Sequence, residues 1–158
     1  MPAKSVRESA SEYAQLALPN DANTFGNVLG GTVMHLVDIV AAMAAIRHSR
    51  LPVVTASVDS FQFLHPVHIG ELILLRSSVN RVFRSSMEVG VYVETENLIT
   101  GKRVHTCSAY LTFVALGQEG RPAVVDPVLA ETDEEKRRYR QAGERRDLRL
   151  ALRSRKQE

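Results

Sequence analysis

The chain has 158 residues, enough for one domain with a single sizeable hydrophobic core. Its composition of 44% hydrophobic and 24% charged residues is ordinary for a globular protein, and its net charge of +2 is small. The single cysteine, Cys107, excludes an internal disulfide and any zinc cluster built from cysteines. The first residues lack an apolar signal segment and no stretch approaches the length of a membrane span, so we expect a cytoplasmic protein without membrane insertion.

The first predicted elements are a flexible N-terminus at 1–8, a short strand at 9–18 and one long helix. A loop rich in Pro, Asn, Asp and Gly, at 19–31, leads into this helix. The helix is predicted from about Thr32 to His48, and nearly all of its side chains from Val33 to Ile46 are apolar. A helix that is apolar on almost every side has to be enclosed by other elements.

Four strands are predicted after the helix, because the hydrophobic pattern changes there to a period of two residues. They are expected at 53–64, 71–83, 87–99 and 103–116, and their short connections favour antiparallel pairing. A sheet wrapped around the central helix predicts an α+β fold for residues 9–130. Such a sheet also has an unpaired edge that an identical chain could cover.

The last segment, 131–158, contains ten of the 20 Lys and Arg residues together with seven Asp and Glu. Thr132 and Glu135 form a predicted capping box for a charged helix that starts at about Asp133. A basic segment of this kind can be a nucleic-acid-binding arm. Because acidic residues are interspersed throughout it, we predict a solvated helix and no nucleic-acid partner.

Asp38 is the one acidic residue within the apolar segment of the predicted helix. An ionised carboxylate in such a helix is costly unless a partner compensates it. Acids in this position are frequent in catalytic sites, where a carboxylate acts on a substrate as general base or as nucleophile. The alternative is a structural acid that is satisfied by His35, one turn earlier, or by a backbone donor.

Gly30 and Gly31 precede the helix that carries Asp38. Glycines allow a substrate to approach the backbone, and the free N–H groups of a first helical turn favour developing negative charge. The pair is therefore a candidate oxyanion and substrate-binding site, with a tight turn that needs positive φ as the alternative.

Arg84, Ser85 and Ser86 lie between two predicted strands. Their charge and hydroxyl groups suit the phosphate groups of a ligand, although hairpin turns are routinely polar as well. His65 and His68 flank a turn without a third ligand at metal spacing, so we expect no metal site.

Four segments occur in the order found in hotdog-fold acyl-CoA thioesterases: DANTFGNVLGGTVMHLVDIVAAMAAIRHSR, VVTASVDSFQF, SSMEVGVYVETEN and AYLTFVAL. The chain resembles that family over about residues 10–140. It is most similar to the cytosolic long-chain acyl-CoA hydrolase group in its single-domain bacterial form.

The resemblance implies a hotdog fold, a dimer with active sites between the subunits, and assembly of three dimers into a hexamer. It also implies hydrolysis of fatty acyl-CoA to free acid and coenzyme A without metal or organic cofactor. The family's catalytic pair falls on Asn23 and Asp38, each supplied by a different chain. Many relatives carry an acidic residue directly after the catalytic Asp, whereas this chain has Ile39.

Three alternatives stay open from the residues themselves. Asn23 could simply close an Asx-turn in its loop. The same fold could hydrate or dehydrate an acyl thioester, although such enzymes usually depend on a His with an acid. A third possibility is a non-catalytic acyl-CoA sensor, which has no need for both Asp38 and Asn23.

Overall fold

The computed structural model describes residues 1–156, and its main elements follow the predicted order. The two helices are α1, Gly30–Ser49, and α2, Asp133–Arg155. The strands are β1 Lys4–Ser5, β2 Ser11–Leu16, β3 Val53–Phe63, β4 Leu72–Val82, β5 Ser86–Glu96, β6 Arg103–Ala115 and β7 Val128–Leu129. Five of them form one antiparallel sheet in the order β2-β4-β5-β6-β3, which leaves β3 at an edge.

Helix α1 packs on the inner face of this sheet, so the predicted α+β fold with a sheet around a central helix is confirmed. The buried side of the helix consists of aliphatic and small residues: Val33, Leu36, Val37, Val40, Ala41, Ala44 and Ala45. Three other apolar side chains of the helix are exposed on the protomer: Met34, Ile39 and Ile46. One chain therefore encloses only part of the apolar helix.

The length and composition of α1 contradict the expectation that no stretch of the chain approaches the length of a membrane span. With 20 residues and a mean hydropathy of 1.3, α1 is long and apolar enough to cross a membrane by those two criteria alone. Its buried side lies against the sheet, which is the position of a core helix in a globular domain.

The N-terminus is ordered from Lys4 onward, so the prediction of a flexible segment at 1–8 is wrong for most of its length. Strand β1 pairs in parallel with β7, and Val6 and Ser9 are buried. The Lys4 ammonium group donates to the carbonyl of His48 at 2.8 Å and pairs with the Asp126 carboxylate at 3.6 Å. These partners come from distant parts of the chain, which is why local sequence patterns did not reveal them.

Helix α2 begins with the predicted capping box, in which Thr132 Oγ1 accepts from the backbone N–H of Glu135 at 3.1 Å. The expectation of a solvated helix holds for most of its residues but not for one face, because α2 packs on the outer face of the sheet. Ala142 is fully buried there. The guanidinium group of Arg145 donates two hydrogen bonds to Glu88, at 2.6 and 3.1 Å.

Glu88 is 1% exposed, and it also accepts a hydrogen bond from Asn80 at 3.0 Å. Arg145 lies over the ring of Tyr110, with its guanidinium carbon 3.7 Å from the ring centroid. Burial lowers the pKa of Arg145, but the hydrogen bonds and charge of Glu88 outweigh that effect and raise it above its usual range. Arg145 is therefore a cation where it contacts Glu88.

We expect Arg145→Met to lower the free energy of unfolding by about 3 kcal/mol, because it leaves the buried Glu88 carboxylate without its cation. Urea denaturation measures this loss. Arg138→Met is the matched control on the same helix, since Arg138 pairs with an exposed Glu134 and should cost less than about 1 kcal/mol. Equal losses in the two variants would contradict the role assigned to Arg145.

Candidate active site

Asp38 lies in the middle of α1 and is half-buried. Its Oδ1 atom accepts a hydrogen bond of 2.7 Å from the hydroxyl group of Thr55 on β3. His35, one turn earlier, is exposed and forms no hydrogen bond with Asp38 within residues 1–156. The structural alternative in which His35 satisfies this acid is therefore wrong. The second carboxylate oxygen of Asp38 has no partner among the described residues.

Thr55 is a site residue that the sequence analysis missed. It pairs in register with Phe113, a buried core residue of β6, so both side chains lie on the sheet face that α1 covers. A hydroxyl residue at a position where the period-two pattern calls for an apolar one was the available signal.

Asn23 lies in the loop that leads into α1, and its side-chain oxygen is occupied within that loop. It accepts from the backbone N–H groups of Phe25 at 2.8 Å and Asn27 at 3.2 Å. The Asx-turn proposed as the alternative role for Asn23 is therefore present. The turn fixes the orientation of the amide group, and its nitrogen donates to no other group in the described part of the chain.

A cavity of about 370 Å³ opens beside this loop. Its lining comes from the loop, the first turn of α1 and the end of β3 with the following turn: Asn23, Asn27, Val28, Gly30, Val33, Phe63, Leu64, His65, Pro66 and Val67. This space connects the asparagine amide with the N-terminus of α1.

Gly30 and Gly31 form the first turn of α1 and do not have positive φ, so the alternative of a strained turn is wrong. Leu29 caps the helix without a side-chain acceptor. The backbone N–H groups of both glycines have no acceptor within residues 1–156. A side chain at Gly31 would enter open space, whereas one at Gly30 would touch the Phe63 ring at 3.4 Å.

A single chain does not bring Asp38 and Asn23 into one cavity. Asp38 is eight residues beyond Gly30 along α1, about 12 Å along the helix axis. On β3, Thr55 lies near the beginning of the strand and Phe63 at its end. The carboxylate and the amide are thus associated with opposite ends of the edge strand.

The edge formed by β3 is apolar and exposed. Its exposed large side chains are Val54, Val58, Phe63 and Leu64, and the uncovered side of α1 adds Met34, Ile39 and Ile46. We call these seven residues the edge surface. An unpaired strand flanked by exposed aliphatic residues is suited to pairing with another strand.

Arg84, Ser85 and Ser86 form the hairpin between β4 and β5, as predicted. Arg84 is exposed, and Ser86 pairs with Val114 of β6, which in turn pairs with Val54 of β3. The hairpin therefore lies at the same end of the sheet as Thr55 and Asp38, two strands away from the edge.

His68 and Cys107, which the sequence analysis also named, have structural surroundings. His68 Nδ1 lies 3.0 Å from the side-chain oxygen of Asn27. Residues 1–156 contain no cluster of three potential metal ligands. Cys107 is fully buried in the core, and burial raises the pKa of its thiol to about 11.

Comparison with known proteins identifies relatives along most of the chain. The thioesterase superfamily matches residues 25–102. The uncharacterized acyl-CoA thioester hydrolase YkhA of Bacillus subtilis is 41% identical over 129 residues, which cover 82% of this chain and 75% of the relative. Human cytosolic acyl coenzyme A thioester hydrolase is 36% identical over 85% of this chain, but the chain spans only 36% of its length.

The fold of this chain closely resembles several solved structures. A hexameric acyl-CoA thioesterase in its apo form superposes with a TM-score of 0.93 at 38% identity, over 96% of this chain and 97% of that one. An acyl-CoA hydrolase from Staphylococcus aureus, in complex with butyryl coenzyme A, coenzyme A and coenzyme A disulfide, has a TM-score of 0.91 at 37% identity. That superposition covers 99% of this chain and 95% of the hydrolase.

The same S. aureus hydrolase has been solved as three variants, in which alanine replaces an aspartate, a threonine or an asparagine. Each variant is 36% identical to this chain, and the TM-scores run from 0.88 to 0.93. The superpositions cover 99% of this chain and 93% to 96% of the variants.

Proposed function

Since the chain belongs to the thioesterase superfamily, we propose that it hydrolyses fatty acyl-CoA to a free fatty acid and coenzyme A. It is an acyl-CoA thioesterase with the hotdog fold. The observation that carries the more detailed proposal is the hydrogen bond between Asp38 and Thr55 beside an unpaired, apolar edge strand.

The active site forms when the β3 strands of two chains pair in antiparallel fashion. This pairing covers the edge surface of each chain and places the beginning of one β3 opposite the end of the other. Asp38 and Thr55 of one chain then face the loop of Asn23 and the first turn of α1 of the second copy. A two-fold dimer contains two such sites.

In each site the Asp38 carboxylate attacks the thioester carbonyl or removes a proton from a water molecule that does so. The negative charge that develops on the carbonyl oxygen is stabilised by the free N–H groups of Gly30 and Gly31 and by the Asn23 amide. The carbon–sulfur bond then breaks and coenzyme A leaves as a thiolate that takes up a proton. With Asp38 as nucleophile, water completes the reaction by hydrolysing the mixed anhydride.

Thr55 is a positioning residue in this scheme. Its hydroxyl group holds one oxygen of Asp38 and leaves the other directed to the reacting atoms. The substituted asparagine, aspartate and threonine of the S. aureus hydrolase are separated by 15 and 17 residues. Asn23, Asp38 and Thr55 have the same two intervals, which supports assigning them to one site.

Arg84, Ser85 and Ser86 bind the phosphates of coenzyme A in this proposal, because their hairpin lies at the Asp38 end of the sheet and Arg84 is free to reach a ligand. The S. aureus hydrolase binds butyryl coenzyme A and coenzyme A, which supports this ligand class for the present chain. The hexameric relative supports assembly of three dimers into a hexamer here, and the human cytosolic hydrolase supports a cytoplasmic location.

We expect Arg84→Ala to raise KM for acyl-CoA about fivefold and to change kcat little, because it removes a contact to a part of the substrate that does not react. Steady-state kinetics with one acyl-CoA measures both constants. Lys102→Ala, in the exposed turn at the opposite end of β5, is the control and should leave KM unchanged. A lower kcat at constant KM would contradict phosphate binding by Arg84.

Release of free thiol from a panel of acyl-CoA esters of increasing length tests the reaction itself. Turnover of one or more fatty acyl-CoA esters is expected, and the panel also gives the preferred chain length. Tight binding of the panel without thiol release would support the acyl-CoA sensor instead. Addition of water to an unsaturated acyl-CoA without thiol release would support the hydratase.

A further inference from the structure

A second apolar groove lies on the outer side of the sheet. It has a volume of about 560 Å³ and lies between the middle of β3, residues 57–60, and the C-terminal half of α2. The helix contributes one stripe of side chains: Arg145, Leu148, Arg149, Leu152, Arg153 and Lys156. We call this set the α2 stripe.

Two leucines of the α2 stripe are exposed to solvent on the protomer. Leu148 is 63% exposed and Leu152 is 49% exposed, and they are one helical turn apart on the side that faces the groove. Exposed apolar pairs beside an unpaired strand are typical of a surface that another chain covers.

The basic residues of the stripe do not oppose such a contact, because two of them are neutralised within the chain. Arg145 is bound to Glu88, and Arg149 donates to Asp59 at 2.6 Å. Asp59 lies at a register irregularity of β3, between Val58 and Ser60. The ion pair with Arg149 therefore neutralises an acid in the centre of the exposed edge.

The dimer of the proposed function, on which this inference rests, places this groove at the two-fold axis. If Thr55 of one chain lies opposite Phe63 of the second copy in antiparallel strands, the midpoint of the pairing is Asp59. The groove flanks this midpoint. The two copies of the α2 stripe consequently approach each other on the outer side of the joined sheet.

We propose that the C-terminal halves of the two α2 helices pack antiparallel across the β3 seam, with Leu148 and Leu152 of each chain against the same leucines of a second copy. The occupant of the groove is thus an identical chain. The contact forms a second layer of the dimer interface above the paired strands.

Disruption of the leucine pair tests the proposal by its effect on association. Leu148→Asp combined with Leu152→Asp is expected to raise the dimer dissociation constant about tenfold or more, measured by sedimentation at decreasing protein concentration. Leu150→Asp is the matched control, since Leu150 is 41% exposed on the same helix but does not line the groove. Equal dissociation constants for the double variant and the control overturn the proposal.

Cross-linking provides a readout that is independent of catalysis. Leu148→Cys combined with Leu152→Cys should yield covalent dimers on mild oxidation, whereas Leu150→Cys should not, and the native Cys107 is buried. Covalent dimers support the contact even when the protein hydrolyses none of the acyl-CoA esters tested. A dimer that hydrolyses acyl-CoA but forms no cross-link overturns the contact and leaves the proposed reaction intact.

Discussion

Replacement of Asp38 by Asn is expected to lower kcat for acyl-CoA hydrolysis by about 10²–10⁴-fold while the protein remains folded. Asn has nearly the shape of Asp and can accept the 2.7 Å hydrogen bond from Thr55 through its carbonyl oxygen. It cannot remove a proton from water or form an anhydride with the acyl group. The loss therefore falls on the chemical step, and thiol release under substrate saturation measures it.

Asp147→Asn is the control for this variant, because it removes one exposed carboxylate from α2 at a distance from Thr55. It should keep full activity. Thermal unfolding of both variants separates loss of chemistry from loss of structure. An Asp38→Asn protein with wild-type kcat would show that this acid is structural and would end the mechanism proposed here.

Mixing two inactive variants is expected to restore activity, because the proposed site takes Asp38 and Asn23 from different chains. A dimer of one Asp38→Asn chain and one Asn23→Ala chain has one site with both defects and one site with none. Random mixing makes half of the dimers mixed, so about a quarter of the wild-type activity should return.

The two variants are co-expressed with different affinity tags, and thiol release is measured on the purified mixed dimers as well as on each parent. If both residues acted within one chain, every site in the mixed dimer would keep one defect and no activity would return. Co-expression of Asp38→Asn with a wild-type chain is the control, and its mixed dimers should retain one active site in two. The result decides between a shared site and a site within the protomer.

Local sequence patterns determined the regular elements because their periodicity depends on neighbouring residues. The α1 helix was predicted from about Thr32 to His48 and extends from Gly30 to Ser49. The Thr132 capping box also depends on contacts within one turn, and it forms as predicted. The four main strands likewise lie within a few residues of their predicted positions.

The sequence also identified Asp38 as an acid that needs a partner, but it did not identify the partner. Thr55 reaches Asp38 from another element, 17 residues further along the chain. The assignment of Asn23 came from the family resemblance, since the residue alone is equally compatible with the Asx-turn that the loop contains. The proposal that the two act together needs a second chain, which no pattern within one chain encodes.

Only the tertiary structure decided the position of α2. By composition this helix is a solvated charged segment, yet Arg145 reaches the buried Glu88, 57 residues earlier in the chain. Burial of a charge depends on which distant group can neutralise it, and that pairing is set by the docking of whole elements. Periodicity thus determined which segments become helix and strand, whereas long-range contacts decided which of their polar residues are buried, paired or left exposed.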